Sequence, residues 1–320
     1  MAGHPPFIPF GGSEIDATDL NTADIVILPI CYEKASSYGT GSKDGPYHLL
    51  TASEQLESID EETLIDWGQL KIHTLSPLIP PGKPTQAIEQ MEAAAEKVLS
   101  QGQFLLSIGG DHAISLGPIA AASKIHPDMG VLQIDAHLDL RDRWNDSPYN
   151  HACVMRRAVD DMGLDIVPVG TRSFSREEAA FIQEKDISPF FAHNIDPHDN
   201  AWIDEVVEAL PGKVYITIDL DGLDPSVIPG TGTPEPGGLS YRQVVDLLRL
   251  TGQRREVIAA DIVELAKIDG SQVSETTAAK IATKIMVYCA GDKGGAREGF
   301  KGSRVQGVKG SRGWLQRNDH

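Results

Sequence analysis

The sequence predicts an α/β protein whose sheet is mostly parallel, and two observations carry this. Short apolar runs recur along the chain, and most lack the period-two alternation of a strand with one wet face, so they read as strands buried on both faces. Longer amphipathic segments alternate with them, as in a sheet covered by helices.

The candidate strands are residues 23–30 (ADIVILPI), 104–108 (FLLSI), 131–135 (VLQID), 165–169 (DIVPV), 187–192, 214–219 (VYITID) and 256–261. Between the first two, residues 84–100 place Ala87, Ile88, Met91, Ala94, Ala95, Val98 and Leu99 on one stripe, with Glu89, Gln90, Glu96 and Lys97 elsewhere. That spacing predicts a helix packed by one face. Residues 241–250 and 274–289 carry the same pattern. No linker interrupts the alternation before residue 290, so residues 1–290 are expected to form a single domain. Residues 291–320, with eight glycines, seven Lys or Arg and three Asp or Glu, lack apolar periodicity and are expected to form a flexible tail.

Composition narrows the function. The 320 residues include 28 Lys and Arg against 46 Asp and Glu, a formal charge of −18. That balance excludes a basic nucleic-acid binder and favours cationic ligands wherever the acids converge on a cleft. Hydrophobic residues at 41% are enough for a sizeable core, so disorder of the whole chain is not expected. Cys31, Cys153 and Cys289 are widely spaced, which suggests neither a disulfide framework nor a zinc ribbon and points to a reducing, cytoplasmic setting. The N-terminal segment lacks the basic and apolar stretches of a signal peptide, and no apolar run is long enough to span a membrane.

The chemistry lies where predicted strands end. Gly109-Gly110-Asp111-His112 follows FLLSI, Asp135-Ala136-His137-Leu138-Asp139 follows VLQI, Asp219-Leu220-Asp221 follows VYITI, and Asp261-Ile262-Val263-Glu264 follows VIAA. In open parallel sheets the carboxyl ends of the strands face the ligand crevice, so the four clusters are expected to converge. In extended chain Asp135, His137 and Asp139 would project to one side, as would Asp219 and Asp221. Each piece alone has a plainer reading: a polar turn, a strand-end cap, a structural histidine. Together with His112 they make six candidate ligands, too many for one tetrahedral zinc and suited to two divalent ions about 3.5–4 Å apart. Oxygen and imidazole without thiolate favour Mn²⁺ or a similar ion. Spacing leaves open which ligand bridges the two. The remaining histidines, His4, His48, His73, His126, His193, His198 and His320, have no partner spacing and read as surface or structural groups.

Three runs then carry a resemblance: Gly109-Gly110-Asp111-His112, DAHLDLRD at 135–142, and DLDGLDPSVIPGTGTPEPGG at 219–238. In order, over about residues 20–290, they resemble the metal-binding signatures of the ureohydrolases, the arginase and agmatinase family; SSYGTGSKDGP at 36–46 and VPVGTRSFSREE at 167–178 add to the likeness. The resemblance implies a three-layer α/β/α fold and two Mn²⁺ ions held by His112, Asp135, His137, Asp139, Asp219 and Asp221. It implies a hydroxide, available near neutral pH, that attacks a guanidinium carbon. Asp139 would also accept a hydrogen bond from that nucleophile, His151 would carry a proton to the leaving amine, and Glu264 would grip the guanidinium. Asp111 would act behind His112, while Thr231 and Thr233 would shape the pocket floor. Cys153 is expected to pack rather than face the site. A homo-oligomer, trimer or hexamer, is implied by resemblance alone.

For the substrate, residues 141–150 (RDRWNDSPYN) depart from the Ser/Thr/Asn-rich loop with which arginases hold an α-amino acid. The stretch looks more like the agmatinase branch, so the small cationic substrate is expected to be agmatine, hydrolysed to putrescine and urea in polyamine synthesis. A guanidinobutyrase remains the alternative, with Arg141 or Arg143 meeting a substrate carboxylate; arginase and formimidoylglutamase are less favoured. GPYHLL at 45–50 departs from many agmatinases, which carry an arginine there. A deacylase of similar architecture would need a His-His pair, which is absent, and an inactive binding relative would have lost a ligand or His151.

Overall fold

A computed structural model describes residues 4–13, 15–16, 18–34 and 39–290. The expected tail at 291–320, and Ser36 to Tyr38 of the early glycine-rich run, lie outside the described residues. Eight parallel strands form one sheet in the order β2-β1-β3-β8-β7-β4-β5-β6. They are β1 (Ile25–Pro29), β2 (Ile72–Thr74), β3 (Phe104–Ile108), β4 (Met129–Ile134), β5 (Asp165–Thr171), β6 (Phe190–Phe191), β7 (Lys213–Asp219) and β8 (Glu256–Val263). The helices are α1 (Gly45–Ser53), α2 (Pro84–Leu99), α3 (Leu116–Ile125), α4 (Val154–Asp160), α5 (Arg176–Glu184), α6 (Ala201–Ala209), α7 (Tyr241–Arg254) and α8 (Val273–Cys289).

The strands lack polar alternation because both faces of the sheet are covered. Ile25, Ile27, Leu106 and Ile108 pack toward α1, α6, α7 and α8. Val26, Leu28, Leu105 and Val131 pack on the other side, toward α2, α3, α4 and α5. The result is the three-layer α/β/α arrangement expected. Helix α2 begins on Pro84, whose fixed φ and missing N–H suit a first turn, and buries Ala87, Met91, Ala95, Val98 and Leu99; Ile88 and Ala94 are only partly covered.

Two edge features differ from expectation. Strand β2 is three residues long and was not read, since only Ile72 of its residues is buried. The run at 187–192 contributes only β6, because the Ile187 N–H is already given to the Ile182 carbonyl as α5 ends.

The four central strands, β3, β8, β7 and β4, bring their carboxyl ends side by side, and the turns leaving them are tight. A Cβ on Gly110 would lie 1.9 Å from the Tyr32 carbonyl oxygen, and one on Gly222 would lie 2.8 Å from the Asp135 nitrogen. Only glycine lets these backbones approach so closely.

Candidate metal centre

His112 opens a 3₁₀ turn, His112–Ser115, just after β3. Its Nε2 lies 2.9 Å from Thr217 Oγ1, and that hydroxyl donates its proton to Asp261 Oδ1 at 2.6 Å. Tyr215 donates to the other oxygen of Asp261 at 2.7 Å. With Asp261 ionised, Thr217 can only accept from His112, so a ring proton belongs on Nε2; against burial, Asp135, Asp139 and Asp219 raise the His112 pKa well above normal and hold a second proton on Nδ1, which a cation would displace. Nδ1 lies 2.9 Å from Asp139, 3.3 Å from Asp135 and 3.4 Å from Asp219.

A second group adjoins the first. His137 Nδ1 lies 3.1 Å from Asp221 Oδ2 and 3.6 Å from Asp135 Oδ1. Asp135 thus turns Oδ2 toward His112 and Oδ1 toward His137, and it belongs to both groups of mutually close ligand atoms, His112–Asp135–Asp219 and Asp135–His137–Asp221. Asp139 reaches His112 but joins neither group. The extended row expected for 135–139 is bent, because Asp139 takes a left-handed φ of 51°. Asp219 and Asp221 sit around a 3₁₀ turn, with Asp219 Oδ1 accepting from the Asp221 N–H, and so face different imidazoles.

The donor set fits two divalent cations. Asp135, Asp139, Asp219 and Asp221 are all buried, and only the His137 ring is partly exposed. Burial and the charge of Asp135 push Asp139 up to about 7, and burial with Asp221 pushes Asp219 well above the carboxylate range. Against burial, which would lower it, Asp135 and Asp221 hold the His137 imidazolium up to about 12. Asp135 is held below the usual range by the two imidazoles although burial opposes them. Repulsion of this kind is relieved when cations replace the protons.

A cavity of about 310 Å³ opens onto the cluster and is lined also by Glu264, His151, Arg141, Trp144, Phe174 and Thr233. Glu264 follows β8 with a φ of 66°; its Oε1 accepts from the His112 N–H at 2.8 Å. Burial, then Asp219 and Asp111, raises its pKa well above normal. Thr233 donates to Asp221 Oδ2 at 2.8 Å, whereas Thr231 does not line this cavity. Asp111 accepts from the Lys34 N–H and so ties the chain after β1 to the His112 turn. Cys153 is buried, its thiol pushed up to about 12 by burial and by Asp139, as packing beside the site requires.

Residues 144–147 form a two-residue hairpin, closed by Trp144 and Ser147 with Asn145 and Asp146 at φ 48° and 60°. It carries Arg143 away from the cavity to the Asp146 carbonyl. Arg141 stays in the cavity wall, its guanidinium carbon 4.2 Å from the Trp144 ring centre and its Nε 4.0 Å from Glu178. Sequence reasoning missed Thr217, which no motif marks, and placed Asp261 at a strand end, whereas it lies within β8 behind His112. It also missed Arg172, whose guanidinium donates to the carbonyls of Gly170, Asp221, Gly222, Leu223 and Glu235 and so fastens the Asp221 turn.

The fold and this doubled cluster of candidate ligands are those of a hydrolase of the ureohydrolase type, and comparison with known proteins agrees. Residues 23–288 match the model of the Arginase family, and the chain belongs to it. It is 40% identical over 279 residues to the N(1)-aminopropylagmatine ureohydrolase of Synechocystis sp., covering 85% of this chain and 90% of that one. It is 34% identical to the agmatinase of Pyrococcus horikoshii, covering 87% and 95%. The agmatine ureohydrolase structure of Thermoplasma volcanium superposes with a TM-score of 0.79 at 30% identity, covering 85% of this chain and 91% of that one. Among the described residues no helix is long and apolar enough to cross a membrane.

Proposed function

We propose that the chain hydrolyses the guanidino group of a linear guanidino amine without an α-carboxylate, agmatine being the simplest, to give putrescine and urea. The observation that carries this reading is one cavity in which the doubled ligand cluster, Glu264 and His151 meet. His112, Asp135 and Asp219 would hold one ion, and Asp135, His137 and Asp221 the other, with Asp139 close to the first. Two divalent ions, Mn²⁺ by the oxygen and imidazole donors, would supply a water of lowered pKa.

The protein's own groups do the rest. Glu264 commits Oε1 to the His112 N–H and turns Oε2 toward Gly232 beside the cavity, where a planar forked cation finds a carboxylate. An arriving guanidinium would keep that carboxylate ionised. Asp139, fixed by its left-handed backbone, would accept the hydrogen bond that orients the attacking water. His151, on the cavity wall, holds a proton for the leaving amine. Arg141 is drawn toward Trp144 and Glu178 and Arg143 toward Asp146, which argues against a carboxylate-bearing substrate.

A second substrate is favoured by a specific observation: the 40% identical Synechocystis relative is named for N1-aminopropylagmatine. Hydrolysis of that amine would give spermidine and urea. The reading includes a homo-oligomer, trimer or hexamer, and a reducing cytoplasm, which three free cysteines suit. The test is urea release by purified protein with Mn²⁺ from agmatine, N1-aminopropylagmatine, arginine and 4-guanidinobutyrate. Release from the two amines, abolished in His112→Ala without loss of folding, is expected. Arginine as the preferred substrate would refute the reading.

A further inference from the structure

Phe174 has a place that the reaction as described does not use. Eight large hydrophobic side chains are exposed among the described residues, and Phe174, at 43%, is the one that lines the metal cavity. It is also held firmly. On its N-terminal side Arg172 and Ser173 both donate their N–H to the Ala136 carbonyl, between the ligands Asp135 and His137. On its C-terminal side Ser175 caps α5 in a reciprocal pair with Glu178, whose other oxygen accepts from the Leu140 N–H. The ring stacks on Phe191 with centroids 5.5 Å apart, and Phe191 stacks on His193 at 5.8 Å. An exposed aromatic fixed at a cavity mouth is the kind of surface that a ligand covers.

The charges at the mouth say what would cover it. The Trp144 ring is already occupied by the Arg141 guanidinium, and the Glu178 carboxylate is taken by two backbone N–H groups. Among the described residues no cation lies over Phe174, so its ring is the aromatic face left open to an ammonium.

We propose that Phe174 is a specificity-determining residue that receives the distal cationic nitrogen of the substrate, and that it selects guanidino amines extended by a second ammonium over shorter ones. The proposal rests on the guanidino-amine reading above. The guanidinium enters at Glu264 and the metals, the alkyl chain runs out past Trp144, and the far ammonium lies on Phe174. A cation over a partly exposed ring contributes about a two- to fivefold preference.

The experiment uses the full chain with Mn²⁺ and three substrates: N1-aminopropylagmatine, agmatine and 1-butylguanidine, whose tail is uncharged. Wild-type kcat/KM should rank them in that order. Phe174→Leu, which keeps apolar bulk and removes the π face, should lower kcat/KM for N1-aminopropylagmatine about two- to fivefold more than for 1-butylguanidine, chiefly through KM; Phe174→Tyr should restore the ranking. Equal losses on all three substrates, or none, would overturn the proposal. So would a change of sedimentation behaviour with uniform losses, which would assign the ring to a subunit contact. Urea from none of the three by the wild type would defeat the functional reading itself.

Discussion

Thr217 has one proton and two claimants. It gives that proton to Asp261 and accepts from His112, so one hydroxyl keeps the Nε2 proton in place and leaves Nδ1 as the nitrogen that can offer a lone pair to a cation. Replacing it by valine keeps the shape and removes the relay. Thr217→Val should weaken metal binding at the His112 group about 10–100-fold, read by competition with a chelator, while far-UV circular dichroism is unchanged. Asp135 is shared, so Asp135→Asn should remove both ions whereas His137→Ala should remove one, read as metal per chain by elemental analysis. The six candidate ligands could be named from the sequence because His, Asp and their spacing at strand ends are local, but that spacing did not show that Asp139 joins neither group of mutually close ligand atoms. Thr217 and Asp261 were not, because their hydrogen bonds join residues 105 and 44 positions apart and a threonine inside a strand looks like any other. The sharing of Asp135 was equally hidden, since spacing does not tell which way a carboxylate's two oxygens turn.

At the scale of elements, the central strands were readable because burial on both faces leaves unbroken apolar runs, and FLLSI was bounded to the residue. The edge strand β2 and the helices α1, α3, α4, α5 and α6 carry patterns too brief or too blurred to stand out, and the other edge strand, β6, is shorter than the run at 187–192 predicts. Helix α8 contains a lysine that its apolar pattern does not announce. The fully buried Lys284 pairs with Asp60, lies 3.0 Å from Glu61 and reaches the Tyr288 hydroxyl at 3.2 Å, pinning the chain after α1 against α8. Lys284→Met would strand a buried carboxylate and should cost about 3–5 kcal/mol in urea unfolding, and adding Asp60→Asn should recover part of it. The pH dependence follows from Asp60. Burial pushes its pKa up, but Lys284 and Thr63 outweigh it and hold it below the usual 3.8. A depressed folded pKa contributes stability that is present above the unfolded pKa and is lost as pH falls through the folded one. The urea midpoint should therefore drop below pH 4 in the wild type, with a shallower drop in Lys284→Met.

For the whole molecule, the charge of −18 is partly a statement about what the central crevice must hold. Four buried carboxylates and two imidazoles crowd the carboxyl ends of the central strands, and without cations the cluster keeps protons: Asp139 is pushed up to about 7 and His137 up to about 12. Binding divalent ions must displace those protons, so affinity rises with pH, by up to tenfold per unit for each proton released. The sign is set by both groups, since each binds more protons in the ion-free folded state than it does with an ion bound. Ions that bind the folded chain and not the unfolded one stabilise it by about 2.7 kcal/mol at a hundred times Kd. Chelation at pH 7.5 should therefore lower Tm by roughly 5 °C and abolish urea release, and added Mn²⁺ should restore both. The same Mn²⁺ addition at pH 5.5 should raise Tm far less. Calorimetric scans of the chelated and Mn²⁺-loaded protein at the two pH values make the comparison, and an increment that is equal at both, or larger in acid, would contradict proton displacement at this cluster.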